Sequence, residues 1–271
     1  DDNQLPPVVL QDENETKCND EELKQIGLTN FRNPLFSRLL KNAINRGWDD
    51  CHTMLTYQYR MHEAIAHFPN EKFYNGLLRT GTPEQTESLH IPEHLNGHPI
   101  ARAFANARVT YIPTRRDTRS KVNDDEAMLV ADLIQIASEY YGETFSISET
   151  IGVIPPFRAQ IANFKKHMPE KFLGITVDTV ERFQGSERDI IILSYAVKSD
   201  IQLRNIQSVN DAGVDRKLNV ALTRAKKHLV ILGSEEILSK NPLFKKLIEH
   251  VKSNGGYLTM SRANAEIPDI L

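Results

Sequence analysis

The sequence predicts an α/β fold, a mostly parallel sheet with helices on both faces. Two observations carry that expectation. Five short apolar runs, residues 109–112, 151–154, 175–177, 190–196 and 229–232, are rich in β-branched side chains and nearly continuous. That is the pattern of strands covered on both faces. Segments of helical periodicity separate most of the runs, and alternation of this kind builds βαβ units with parallel strands. Ligands are then expected outside the carboxyl ends of the strands.

Taken in chain order, residues 1–9, DDNQLPPVV, place an apolar run with no element before it, and the chain starts at Asp1 rather than Met. A piece of a longer protein is expected. Residues 11–33 are polar and weakly periodic, so they read as a mobile linker or a solvated helix start. Asn33 and Pro34 resemble an N-cap and a first helical residue. Phe36, Leu39, Leu40, Ala43 and Ile44 then keep helical spacing until Gly47, which predicts a packing helix. Residues 80–107 carry prolines, glycines and histidines without a sustained period and read as an irregular insert. Asn123 is placed to cap a helix, with Glu126 reaching back as its capping-box partner, and Ala127, Val130, Ala131, Ile134, Ala137 and Tyr141 form one face. Further helices are expected over 158–168, 216–225 and 242–252.

Composition narrows the classes. With 271 residues, 40% of them hydrophobic, the chain can bury a core without metals or disulfides. Two cysteines, Cys18 and Cys51, are too few for a disulfide framework. Lys and Arg number 33 against 36 Asp and Glu, so the surface is not basic overall, although a local stripe can still hold a polyanion. No apolar run reaches the ~18 residues of a membrane span. His52, His62, His67, His90, His94 and His98 include an i, i+4 pair, His90 and His94, with no second half of a ligand set, so no metal site is expected. Asp178, Glu181, Glu187 and Asp189 cluster in sequence as a nuclease group would, but no lysine completes that group.

Four segments hold the chemistry: LTYQYRMHEAIAHFPNEKFYNGLL (55–78), IGVIPPFRAQIANFKK (151–166), ITVDTVERFQGSERDIIILSY (175–195) and RKLNVALTRAKKHLVILGS (216–234). In this order they resemble the motifs of the second RecA-like domain of superfamily 1 helicases. The closer resemblance is to superfamily 1B, the group of the up-frameshift RNA helicases and the replication helicase-nucleases. The opening DNQLPPV resembles the motif that ends the first RecA-like domain there. The match covers residues 1–7 and most of 31–256. The resemblance implies a RecA-like P-loop NTPase fold of which this chain is the C-terminal lobe.

Each motif also has its own chemistry. Arg224 is read as lying on the helix that begins at Arg216, pointing away from the core; its fixed, permanently charged fork suits a developing phosphoryl charge. The resemblance implies an arginine finger. It further implies that Tyr59 stacks on the nucleotide base, that Arg60 contacts its phosphates, and that Gln4 senses the terminal phosphate and couples two domains. Gly185 permits a tight backbone approach, and Glu187 can accept from a ribose hydroxyl; the resemblance assigns both to the nucleotide edge. Thr179, beside Asp178 at a strand end, is the candidate contact to a strand phosphate. In VIPPFRAQ, Pro155 stands where the family usually has threonine and Phe157 where it has tyrosine; Phe157 can still stack on a base, and Arg158 and Gln160 can reach phosphates. Arg115, Arg116, Arg119 and Lys121 add a cationic loop.

The function expected is that of a C-terminal lobe of an ATP-dependent helicase acting on single-stranded DNA or RNA, with ATP and Mg2+ as cofactors. Residues 1–50 would be the tail of the first lobe with linker and packing helix, and 51–271 the second lobe. Its partners would be the strand and the first RecA-like domain of the same polypeptide, with no membrane, in the cytoplasm or, in a eukaryote, the nucleus. No GxxxxGK[ST] loop occurs in the sequence, so this chain alone is expected to be inactive. The alternative is a non-catalytic nucleic-acid-binding or protein-docking module on the same scaffold.

Overall fold

The structure, a computed structural model, describes residues 1–259 apart from 8, 13, 89–91, 96 and 117–120. His90 and Arg119 therefore lie outside the described residues. The chain divides between Thr56 and Tyr57 into two compact units.

In the first unit Asp20 caps α1 (Glu21–Gln25) by accepting from the amides of Glu22 and Leu23. A bridge between Lys17 and Asn30 closes the loop around it; with no buried residue, α1 is the solvated helix, one of the two readings of this segment. Helix α2 spans Leu35–Asn45. Pro34, not Asn33, occupies the N-cap, and no side chain caps the helix. The expectation of a packing helix is met only by Ala43, which is buried; Phe36, Leu39 and Ile44 stay mostly exposed.

The second unit starts with β1 (Tyr57–Gln58), α3 (Glu63–Phe73) and β2 (Arg79–Thr80). Strands β1 and β2 pair parallel as a small separate sheet. Then come α4 (Pro99–Asn106), β3 (Val109–Pro113), α5 (Asp124–Tyr141), β4 (Ile151–Ile154), α6 (Arg158–His167), β5 (Thr176–Val177), α7 (Val180–Phe183) and β6 (Arg188–Ser194). The unit continues with α8 (Asp200–Asn205), α9 (Arg216–Leu222), β7 (Ala225–Gly233), α10 (Glu235–Leu238) and α11 (Pro242–Ser253). Helix α4 corrects the reading of 80–107 as irregular. Pro99 opens it, the His98 ring accepts from the amide of Ile100, and Ile100, Ala101, Ala103 and Phe104 are buried, a period too short to stand out beside the prolines around it.

The main sheet has the order β3-β7-β6-β4-β5, with every neighbouring pair parallel. All five predicted strands are present, two of them shifted toward earlier residues. Val130 and Ile134 of α5 pack with Ile190, Ile192, Val230 and Leu232 of the central strands in one apolar core. At Gly152 in β4 a Cβ would sit 2.5 Å from the ring of Phe183, so glycine is what lets α7 close onto the sheet. Among the described residues no helix is long and apolar enough to cross a membrane.

The parallel sheet has two edges, one at each end of its strands. The amino edge lies before Val109, Ile151, Thr176, Arg188 and Ala225. The carboxyl edge lies after Pro113, Ile154, Val177, Ser194 and Gly233.

Candidate functional site

Three of the predicted residues meet at the amino edge, not at the carboxyl edge where ligands were expected. Their loops determine this, because the segments bearing Glu187 and Arg224 are those that lead into β6 and β7. The third, Arg60, follows β1. The side-chain oxygen of Gln58 accepts from the amides of Arg60 (3.1 Å) and Met61 (2.8 Å), folding the chain into a turn. The amide of His62 then donates to the carbonyl of Lys226 at 2.8 Å, which fastens that turn to the start of β7.

Arg60 Nε donates to Glu187 Oε2 at 2.5 Å, and its Nη1 to the carbonyl of Thr223 at 3.3 Å. Lys226 Nζ stands 3.4 Å from the other oxygen of Glu187. The Arg60 guanidinium, with Lys226 behind it, holds the Glu187 carboxyl below the usual carboxylate range. Tyr59 is 69% exposed, so it is not a core residue, and its ring leaves no room for a Cβ at Gly81.

Arg224 corrects the sequence reading in two respects. Helix α9 stops at Leu222, so Arg224 sits in the turn before β7 rather than on the helix. Its side chain also packs inward, 2% exposed, against the expected outward direction. Nε donates to Val220 O at 3.1 Å, Nη1 to Ser186 O at 3.4 Å and Nη2 to Thr223 Oγ1 at 3.1 Å. The physical reason is the early end of the helix, which turns the side chain under the loop carrying Ser186 and Glu187. Burial, and then the like charge of Arg60, push its pKa down to about 10, so it stays charged at neutral pH. Arg224, Arg60 and Glu187 do share one edge of the sheet. Two guanidiniums and a lysine gathered around one carboxylate suit a ligand that brings negative charge.

Gly185 has φ +88°, the left-handed region that favours glycine, while a Cβ there would meet open space. The turn, not a close approach within the chain, requires it. Lys226 was missed from the sequence, although its place two residues after Arg224 in RAKKH was a signal. Gly81 gave none.

The carboxyl edge holds the candidates for strand contact, and the structure separates them. Arg158 is exposed and Phe157 half-buried at the N-cap of α6, which has no side-chain cap. Thr179 is half-buried at the N-cap of α7; its amide donates to Asp178 Oδ1 at 2.8 Å. Pro155 is buried and cannot present a face to a base. Gln160 is 0% exposed, its amide bonded to the backbone of Asn123, so it is a buried bracing residue and not a phosphate contact. Arg115, Arg116 and Lys121 are exposed. The four carboxylates that look contiguous in sequence fall on both edges. Asp178 and Glu181 follow β5, while Glu187 and Asp189 lie at the start of β6. Among the described residues no group of three or more potential ligands can hold a metal ion.

The profile of the AAA domain family matches residues 31–236. The chain belongs to that family. Over 97% of its length it is 32% identical to Helicase sen1 of Schizosaccharomyces pombe, of which it covers 15%. It is 30% identical over 97% of its length to ATP-dependent helicase upf1 of the same yeast, covering 26%. To DNA polymerase alpha-associated DNA helicase A of Saccharomyces cerevisiae it is 29% identical over 89% of its length, covering 34%. The chain thus spans about a third or less of these relatives. This AAA domain is a superfamily 1B helicase domain similar to the Upf1 and Sen1 group, and its five-stranded parallel sheet is the RecA-like fold of that family.

Proposed function

We propose that this domain is the second RecA-like lobe of an ATP-dependent helicase moving on single-stranded DNA or RNA, and that its amino edge supplies half of an ATP site. The observation that carries the reading is the convergence of Arg60, Glu187 and Arg224, with the first two bonded across 127 residues of sequence. Tyr59 offers the base an exposed ring, Arg60 and Arg224 offer the phosphates charge, and Glu187 offers the ribose an acceptor once Arg60 turns to the phosphates. Arg224 acts as the finger by leaving three bonds from its charged guanidinium to neutral acceptors, each worth about 1.5–3 kcal/mol net, for a charged partner that binds a guanidinium more strongly. The helicase resemblance alone assigns Gln4, in the first unit, to sensing the terminal phosphate. The residues fit nucleotide phosphates, whereas the Mg2+ that accompanies ATP would be held by the body of the first lobe, which also brings the phosphate loop that residues 1–271 do not contain. Residues 1–50 are the tail of that lobe and its linker. The partner strand runs along the carboxyl edge past Phe157, Arg158 and Thr179.

The test is strand-stimulated ATP turnover by the full-length polypeptide. Arg224→Ala lowers kcat by about 10³ or more with little change in strand binding, and the 271-residue chain alone shows no turnover. Turnover by the chain alone above an Arg224→Ala control, or an Arg224→Ala full-length protein with normal kcat, overturns the reading.

A further inference from the structure

The carboxyl edge holds a second arrangement of charge, this one fully buried. Glu126 in α5 is 0% exposed. Its carboxylate accepts from Thr114 Oγ1 at 2.9 Å, Ser194 Oγ at 2.5 Å, the amide of Ala196 at 3.0 Å and Asn123 Nδ2 at 3.4 Å. Contrary to the expected capping box, Glu126 does not reach back to the amide of Asn123. The Gln160 side chain takes that amide (2.8 Å) and donates to the carbonyl of the same residue (2.9 Å). Asn123 in turn donates to the carbonyl of Arg115 at 2.8 Å.

The bonds tie together three segments that nothing else in their local sequence would register. Thr114 and the Arg115 carbonyl belong to the loop after β3, which carries Arg115 and Arg116. Gln160 belongs to the first turn of α6, which carries Phe157 and Arg158. Ser194 and Ala196 end β6. Ala196 has φ +46° without being glycine, a conformation costing about 1–2 kcal/mol. The Glu126 carboxylate bonds its amide and holds it there. A buried carboxylate is costly unless its hydrogen bonds are complete; here the donors come from the loop after β3, from the end of β6 and from Asn123, and Asn123 in turn carries the bonds to Gln160 of α6.

We infer that Glu126, Asn123 and Gln160 are positioning residues for the single strand: they hold Arg115, Arg116, Phe157 and Arg158 in one surface at the carboxyl edge without touching the strand themselves. The inference rests on the proposed function and adds the device that sets its strand affinity.

The test uses the full-length polypeptide with oligo-dT and oligo-U, measuring strand affinity against salt, the KM for ATP and thermal unfolding. Glu126→Leu weakens strand binding by about tenfold and lowers the salt slope by about one to two phosphate contacts, while the KM for ATP stays within about twofold. Glu126→Gln, which keeps an oxygen for Ser194 and Ala196 and can donate to Thr114, rescues most of the affinity. Gln160→Leu cuts only the tether to α6 and gives a smaller loss of the same kind, which keeps the test decisive if Glu126→Leu does not fold. An unchanged salt slope in folded Glu126→Leu and Gln160→Leu proteins, or parallel losses in ATP KM and strand affinity, overturns the inference. A parent protein that binds neither oligonucleotide instead overturns the proposed function, and the inference with it.

Discussion

The acidic groups Glu187 and Asp189 at the amino edge of the sheet and Glu126 at its carboxyl edge are held in opposite ways, although the amino edge also has one buried charge, Arg224. At the amino edge Glu187 is shared by Arg60 and Lys226, all three partly exposed, and Asp189 is shared by Lys226 and Lys227. Partly solvated ion pairs are individually weak and exchange partners at little cost. At the carboxyl edge one carboxylate is sealed in, with hydroxyl, amide and backbone donors completing its bonds. Such a network is stiff because every broken bond leaves a buried polar group unpaired. Under the proposed function, the difference suits a lobe whose amino edge releases and regains a ligand with each cycle while its carboxyl edge keeps its shape.

The largest expected effect separates the edges by function. Besides its kcat loss of about 10³, Arg224→Ala leaves the Kd for a single strand and its salt slope unaltered, as fluorescence anisotropy would read. A strand-affinity loss matching the kcat loss would mean that the edges are not independent. The floor between the edges comes next. Gly152→Val places its side chain against Phe183 and Arg188 and costs about 2–3 kcal/mol in urea unfolding, with both edges weakened together.

A third measurement uses pH. His228 in β7 is buried, with no hydrogen-bond partner for either ring nitrogen among the described residues, and burial, then the nearby charge of Arg108, lower its pKa to about 3. His62 and Lys227 push it the same way. The folded protein therefore resists a proton that the unfolded chain accepts at the ordinary value of 6.5. Stability falls as pH drops below about 6.5, continuing toward 3, and the loss between pH 7 and 5 is about 2 kcal/mol. The His228→Leu protein should lack this share of the slope; an unchanged slope would place the titration elsewhere. The smallest effect concerns the exchangeable charges. Lys227→Ala removes an ion pair of 2.8 Å to Asp189 whose lysine is half exposed, and changes stability by no more than about 0.5 kcal/mol, less in high salt. A change above 1 kcal/mol would show the amino edge to be locked after all.

Local pattern revealed much of this molecule. The β-branched runs marked all five strands of the main sheet, Asn123 marked the start of α5, and the four motifs marked the family. Errors arose where a contact, not a pattern, sets the outcome. Nothing in KLNVALTR marks where α9 ends, because Thr223 closes it by returning its hydroxyl to the carbonyl of Asn219. Gln160 reads as a surface residue beside Arg158 until its helix is packed on α5, where its amide becomes the partner of Asn123. Asp178, Glu181, Glu187 and Asp189 look like one cluster because sequence distance ignores which end of a strand a residue occupies.

By itself the sequence determined the five strands of the main sheet and the helices α5, α6, α9 and α11 between and after them, that the strands are covered on both faces, and that the chain carries the helicase motifs. Those properties depend on side-chain chemistry repeated over a few residues, and each segment carries its own share of them. Only the tertiary structure decided that Arg60 reaches Glu187, that Arg224 folds inward, and that Glu126 and Asn123 together join the loop after β3, the end of β6 and α6. Those contacts join residues far apart in the chain, and their partners are set by strand order and parallel register, which arise only when the whole sheet is assembled.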